Sequence, residues 1–77
     1  MHRILVVEDD PDIQELLKNF LQEVGYEIVL AGDGMEALSR FLTAPFDLVL
    51  LDVMLPKIDG FAVCELIRKQ SCIPIIM

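Results

Sequence analysis

Basic side chains are scarce: six lysines and arginines stand against thirteen aspartates and glutamates, a formal charge of −7. They are scattered along the chain and form no patch, which argues against a nucleic-acid-binding surface, where clustered Lys and Arg must offset phosphate charge. Cysteine is scarcer still. Cys64 and Cys72 are too few and too far apart for a disulfide framework or a metal knuckle; Cys64 falls on an expected helix and Cys72 in a turn, so buried or half-buried thiols in a reducing cytosol are expected. No apolar run approaches the length of a membrane span. Met1-His2-Arg3 leads into only four aliphatic residues before acids appear, which is not the form of a signal peptide, and a cytoplasmic location is expected. Internal repeats, low-complexity tracts and linkers are also absent.

What is present is aliphatic. The apolar fraction of 55% over 77 residues exceeds the roughly 45 to 50% of ordinary domains. A chain this short holds one domain at most and has much surface for its volume. The excess therefore reads as apolar surface meant for parts of a fold outside this sequence, or for another chain. Glu15, Glu23, Glu27 and Glu65 are expected on a solvated acidic face.

The pattern is organised around Leu48 to Gly60, where an aliphatic run stops at one carboxylate, Asp52. Continuous aliphatic runs suit strands covered on both faces, as in a parallel sheet flanked by helices. Ile4-Leu5-Val6-Val7 is a second such run and stops at Glu8, Asp9 and Asp10. Between the two, Asp10 is a plausible N-cap with Pro11 at the first helical position. Ile13, Leu16, Leu17, Phe20, Leu21 and Val24 then recur with helical period up to Gly25.

Glu27 to Ala31 reads as a short edge strand. Asp33 and Glu36 fit a capping box for a second helix expected to carry Met35, Leu38, Phe41 and Leu42 inward. Pro45 breaks that helix, and a third strand runs from Asp47 to Asp52. Asp59-Gly60 caps a third helix, about Phe61 to Gln70, with Phe61, Cys64 and Ile67 on one face. The final aliphatic run, Ile73 to Met77, makes a fourth strand, in which Pro74 must sit where no ladder bond is required. The order βαβαβαβ implies right-handed crossovers and a parallel sheet.

If the first and third strands are neighbours, their carboxyl ends share the edge where open α/β sheets place ligands. Three or four carboxylates would meet there. Crowded like charges must hold a proton or recruit a cation, and a hard, oxygen-seeking divalent ion such as Mg²⁺ is the natural partner. Acids after strands are often only helix caps, which is the reading for Asp10, Asp33 and Asp59; no helix begins directly after Asp52. Lys57 reads as a solvated loop lysine, and the Met35 and Met54 side chains as packing or rim residues.

Val7-Glu8-Asp9-Asp10, Leu51-Asp52-Val53-Met54-Leu55-Pro56 and Asp59-Gly60 resemble the receiver domain of two-component response regulators, in order and spacing from Met1 to Met77. The resemblance implies a flavodoxin-like α/β fold with strand order 2-1-3-4, truncated after strand 4, so that residues 1–77 are an incomplete receiver domain without its fourth helix, fifth strand and fifth helix. It further implies that Asp52 is phosphorylated by a sensor histidine kinase. Mg²⁺ would be held by Glu8 (through water), Asp9, Asp52 and the backbone carbonyl of Met54. The Asp-Val-Met-Leu-Pro segment resembles receivers joined to winged-helix DNA-binding domains.

A receiver also uses a hydroxyl residue after the fourth strand and a lysine after the fifth, and neither falls within these 77 residues. Weak Mg²⁺ binding and slow or absent phosphorylation are therefore expected of this chain alone. An exposed fourth strand and an uncovered sheet face favour self-association into a dimer or swapped oligomer. A structural or binding fragment without phosphotransfer is the alternative. A Mg²⁺-dependent phosphohydrolase with an aspartyl-phosphate intermediate would need a second acid two residues after the nucleophile, and position 54 is Met.

Overall fold

The fold is that of a computed structural model, which describes residues 2–51, 60–69 and 71–76, and of Gly60 and Phe61 the backbone only. The expected ends of the third strand at Asp52 and of the third helix at Gln70, the loop holding Met54 and Lys57, the cap Asp59 and the last residue Met77 lie outside the described residues.

The first strand, β1 (Arg3–Val7), is almost wholly buried from Ile4 onward. Asp10, still extended, is the N-cap of α1 (Pro11–Val24), its carboxylate accepting the Asp12 amide at 2.9 Å, with Pro11 at the position where a missing N–H costs nothing. Gly25 ends the helix at φ 108°, a left-handed conformation that a Cβ would strain. Its N–H donates to the Gln22 carbonyl at 3.0 Å and that of Tyr26 to Leu21 at 3.1 Å, the paired closure of a Schellman turn.

The chain returns through β2 (Glu27–Ala31), α2 (Gly34–Thr43), β3 (Leu48–Leu51), α3 (Gly60–Arg68) and β4 (Ile75–Ile76). All pairings are parallel and the sheet order is β2-β1-β3-β4, as the resemblance implied. At the opposite end from the acidic turn, the Asp47 carboxylate accepts the Arg3 amide at 2.8 Å, and the Asp47 amide donates to the Arg3 carbonyl at 2.8 Å. That exchange fixes the register of β1 against β3. β4 is shorter than the run from Ile73 suggested, because Pro74 precedes the strand; its carbonyl still accepts the Val49 amide at 3.1 Å.

Alternation along the strands sends Leu5, Val7, Val49 and Leu51 to one face, where they pack with Ala31, Ala37, Val63, Cys64 and Ile67 into a continuous core under α2 and α3. The other face, bearing Ile4, Val6, Leu48 and Leu50, is met among the described residues by α1, and α1 has no buried residue. Leu17 and Leu21 of α1 are half-buried, whereas Leu16 is 68% and Phe20 61% exposed.

The apolar stripe read along α1 is thus wider than the face the sheet covers. In α2 the buried residues are the small Gly34 and Ala37, with Leu38 and Phe41 packed beside the core, while Met35 and Leu42, expected inward, lie exposed. Cys64 is buried as expected, but Cys72 is exposed, since the turn before β4 holds its side chain at the surface. Glu15, Glu23, Glu27 and Glu65 are all exposed, and Glu27 pairs with Arg3.

Candidate functional site

The parallel register pairs Ile4 with Leu48 and runs to Val7 opposite Leu51. Both strands therefore deliver the chain to the same edge of the sheet. Glu8 follows Val7 and extends the pairing one step, its N–H donating to the Ala31 carbonyl at 3.0 Å. Glu8 is half-buried, Asp9 and Asp10 exposed. Carboxylates at this edge thus sit at the boundary between a dry strand end and solvent, where charge is less screened than on an open surface.

The acidic turn is tied down by its own hydrogen bonds. The Glu8 carboxylate accepts the Asp10 amide at 3.1 Å, the Asp10 carbonyl accepts the Gln14 amide at 2.9 Å, and the Gln14 side-chain amide donates to the Glu8 carbonyl. The neighbouring β2–α2 turn is tied similarly. Asp33 accepts the Glu36 amide at 2.8 Å, and Glu36 reaches back to the Gly32 amide at 2.7 Å, one residue before the cap that a strict capping box would engage.

Of the site residues expected from sequence, Glu8 and Asp9 stand together at the end of β1. Asp52 and Met54 lie outside the described residues, Asp52 being next in the chain after Leu51. Among the described residues no group of three or more His, Cys, Asp or Glu side chains is placed to hold a metal. Among the described residues the side-chain donors at the edge of β1 are carboxylates, without His or Cys, which suits a hard cation such as Mg²⁺ rather than zinc or copper. Sequence reasoning passed over Gln14, because a lone polar residue at the fourth position of a helix carries no motif.

No described helix is long and apolar enough to cross a membrane. A groove beside α1, lined by Val6, Leu17, Leu50 and Ile76 among others, leads toward Glu8.

The family model of the response regulator receiver domain matches residues 4–77. Among curated proteins, the "Probable transcriptional regulator ycf27" of Cyanophora paradoxa is 52% identical over 75 residues, 97% of this chain and 31% of that protein. Its namesake in Cyanidium caldarium is 49% identical over 76 residues, 99% of this chain and 30% of that protein. The chain therefore spans under a third of the length of these relatives.

Among solved structures, response regulator TrrA of Thermotoga maritima, in complex with Mg²⁺ and BeF, superposes with a TM-score of 0.95 at 51% identity, over 100% of this chain and 68% of TrrA. TrrA bound to the histidine kinase ThkA gives 0.92 at 51%, over 97% and 66%. The chemotaxis response regulator CheY4 of Vibrio cholerae gives 0.95 at 37%, over 97% and 65%. Sheet order, acidic strand end and these likenesses agree, and the chain belongs to the receiver-domain family of two-component response regulators, a family of signalling domains.

Proposed function

We propose that this chain is a phosphoacceptor module, in which Asp52 takes a phosphoryl group from a phosphohistidine of a sensor kinase. The observation that carries the reading is the last rung of the β1–β3 pairing, Val7 opposite Leu51, since Glu8 and Asp9 follow one partner in sequence and Asp52 the other. A carboxylate oxygen of Asp52 forms the new bond to phosphorus as the phosphorus–nitrogen bond breaks, and the freed imidazole nitrogen takes a proton from solvent. Positioning and charge cancellation are most of what such a transfer asks of a protein. Glu8, Asp9, Asp52 and the Met54 carbonyl are the groups that would hold Mg²⁺, which when bound offsets the mutual repulsion of carboxylates and phosphoryl oxygens.

The kinase partner is supported by the exposed stripe Ile13, Leu16, Phe20 and Val24 on α1, an apolar helix face suited to another helix, and by the TrrA complex with ThkA. The relatives named transcriptional regulators support a DNA-binding output in a longer protein, of the winged-helix type that the Asp-Val-Met-Leu-Pro segment suggests. These 77 residues by themselves would take phosphate slowly or not at all and bind Mg²⁺ weakly. The clamp groups a receiver draws from further along its sequence, a hydroxyl and a lysine, are not among them. The chain would also self-associate through β4 and the sheet face beside α1, where Leu48 and Leu50 are only half-buried.

Incubation with Mg²⁺ and acetyl phosphate, followed by intact mass and peptide mapping, tests the reading. A slow, substoichiometric phosphoryl adduct confined to Asp52 and lost in Asp52→Asn is expected. Rapid stoichiometric modification would refute the impairment, and an adduct that persists in Asp52→Asn would refute the assignment of Asp52.

A further inference from the structure

We propose that Gln14 is a positioning residue for the acidic turn, setting the direction in which Asp9 presents its carboxylate. The proposal rests on the Mg²⁺ reading above for its consequence, but not for its geometry.

The geometry lies at the end of β1. Glu8 donates its N–H to the Ala31 carbonyl at 3.0 Å, which ties its nitrogen to the end of β2. On the other side of the same residue, the Gln14 side-chain amide donates to the Glu8 carbonyl. Gln14 is half-buried although α1 has no fully buried residue. It wedges against the β2–α2 turn, its amide nitrogen 3.8 Å from where a side chain on Gly32 would begin.

The consequence follows from peptide planarity. The Glu8 carbonyl and the Asp9 amide belong to one rigid plane, so a donor that fixes the carbonyl also fixes the orientation in which Asp9 enters the turn. The Glu8 carboxylate, bonded to the Asp10 amide at 3.1 Å, acts on the following peptide plane, that of Asp9 and Asp10. Gln14 therefore adds a restraint on the Glu8–Asp9 plane from α1.

Gln14→Leu keeps the size of the side chain and removes the donor; Gln14→Arg keeps a donor of greater reach. In the metal-free chain, the carbonyl ¹³C resonance of Glu8 is expected to shift in Gln14→Leu, with faster amide exchange at Asp9, and both are expected to return toward wild type in Gln14→Arg. Mn²⁺ binding, followed by the loss of the free-ion electron paramagnetic resonance signal, is expected to weaken about three- to tenfold in Gln14→Leu, the range of one hydrogen bond. It should recover to within about twofold in Gln14→Arg.

An unshifted Glu8 carbonyl in Gln14→Leu would overturn the proposal, as would a shift without weaker Mn²⁺ binding in a chain whose wild type binds the ion. A wild type that binds no Mn²⁺ would sink the metal reading and with it the role of Gln14 toward the ion, while the metal-free resonances would still decide whether Gln14 holds the turn.

Discussion

Val7 and Leu51 face each other across the last rung of the β1–β3 pairing, both buried, at 1% and 4% exposure. Parallel strands run in the same direction, so β1 delivers Glu8 and Asp9 to the edge of the sheet at which β3 also ends. A pair of aliphatic residues with no chemistry of their own thus marks the edge on which the proposed function rests.

Removal of one charge from that edge is the most direct check on the metal reading. Asp9→Asn keeps size and hydrogen-bonding capacity but takes away the anionic oxygen that the metal reading requires. Mn²⁺ affinity is expected to fall at least about tenfold, measured by the same resonance signal, with the thermal unfolding midpoint little changed because Asp9 is exposed. Affinity unaltered by the substitution would remove Asp9 from the ligand set.

Most of the fold was legible because β1, β2 and α1 each carry local signals that agree with their tertiary surroundings. Ile4 to Val7 has aliphatic residues on both faces, and Asp10, Pro11 and Gly25 bracket α1 at both ends. The buried faces of the helices were less legible. A stripe such as Leu16, Leu17, Phe20 and Leu21 says that a helix is amphipathic but not how much of the stripe a neighbour covers. Here the sheet takes Leu17 and Leu21 and leaves Leu16 and Phe20 in solvent. Ala37 went unnoticed because a small residue gives little hydropathy signal, though it lies fully buried where α2 packs on the core. At the site, the acids after β1 were legible as a break in an aliphatic run. Gln14 was not, since its role depends on α1 bringing its side chain within reach of the Glu8 carbonyl.

The β2–α2 turn offers a test of the helix start. Asp33 accepts the Glu36 amide at 2.8 Å, and Glu36 accepts the Gly32 amide at 2.7 Å. Asp33→Ala leaves an N-terminal amide without that acceptor and is expected to cost about 1 kcal/mol, read from urea denaturation. Glu36→Gln, which can still accept from Gly32 but loses its charge near the helix N-terminus and its ion pair with Arg40 at 3.3 Å, should cost less, about 0.5 kcal/mol. A larger loss in Glu36→Gln than in Asp33→Ala would show that charge, not the cap, holds the turn.

The exposed side of α1 separates folding from recognition. Leu16 and Phe20 are 68% and 61% exposed, so Leu16→Glu and Phe20→Glu should each change stability by no more than about 0.5 kcal/mol. Each is expected to slow phosphoryl transfer from a cognate kinase about tenfold or more, as a charge forced into an apolar helix contact would, while leaving the slow reaction with acetyl phosphate unchanged. Equal loss with both donors would place the defect in the acidic edge and not in docking.

Ile76 carries the self-association argument. It pairs with Leu50 in β4, the edge of the sheet, and is 56% exposed beside the groove lined by Leu17 and Leu50. An aliphatic edge strand presents both a row of backbone partners and an apolar surface, and a lysine on such a strand disfavours pairing because two copies would bring like charges together as each loses water. Ile76→Lys is therefore expected to shift the chain from oligomer toward monomer in sedimentation velocity at micromolar concentration. The cost to the fold should be only about 1 kcal/mol, since the side chain is already half in solvent. A wild-type chain that sediments as a monomer would remove the premise, and an oligomer untouched by Ile76→Lys would move the interface away from β4, leaving the exposed stripe of α1 as the surface that joins the copies.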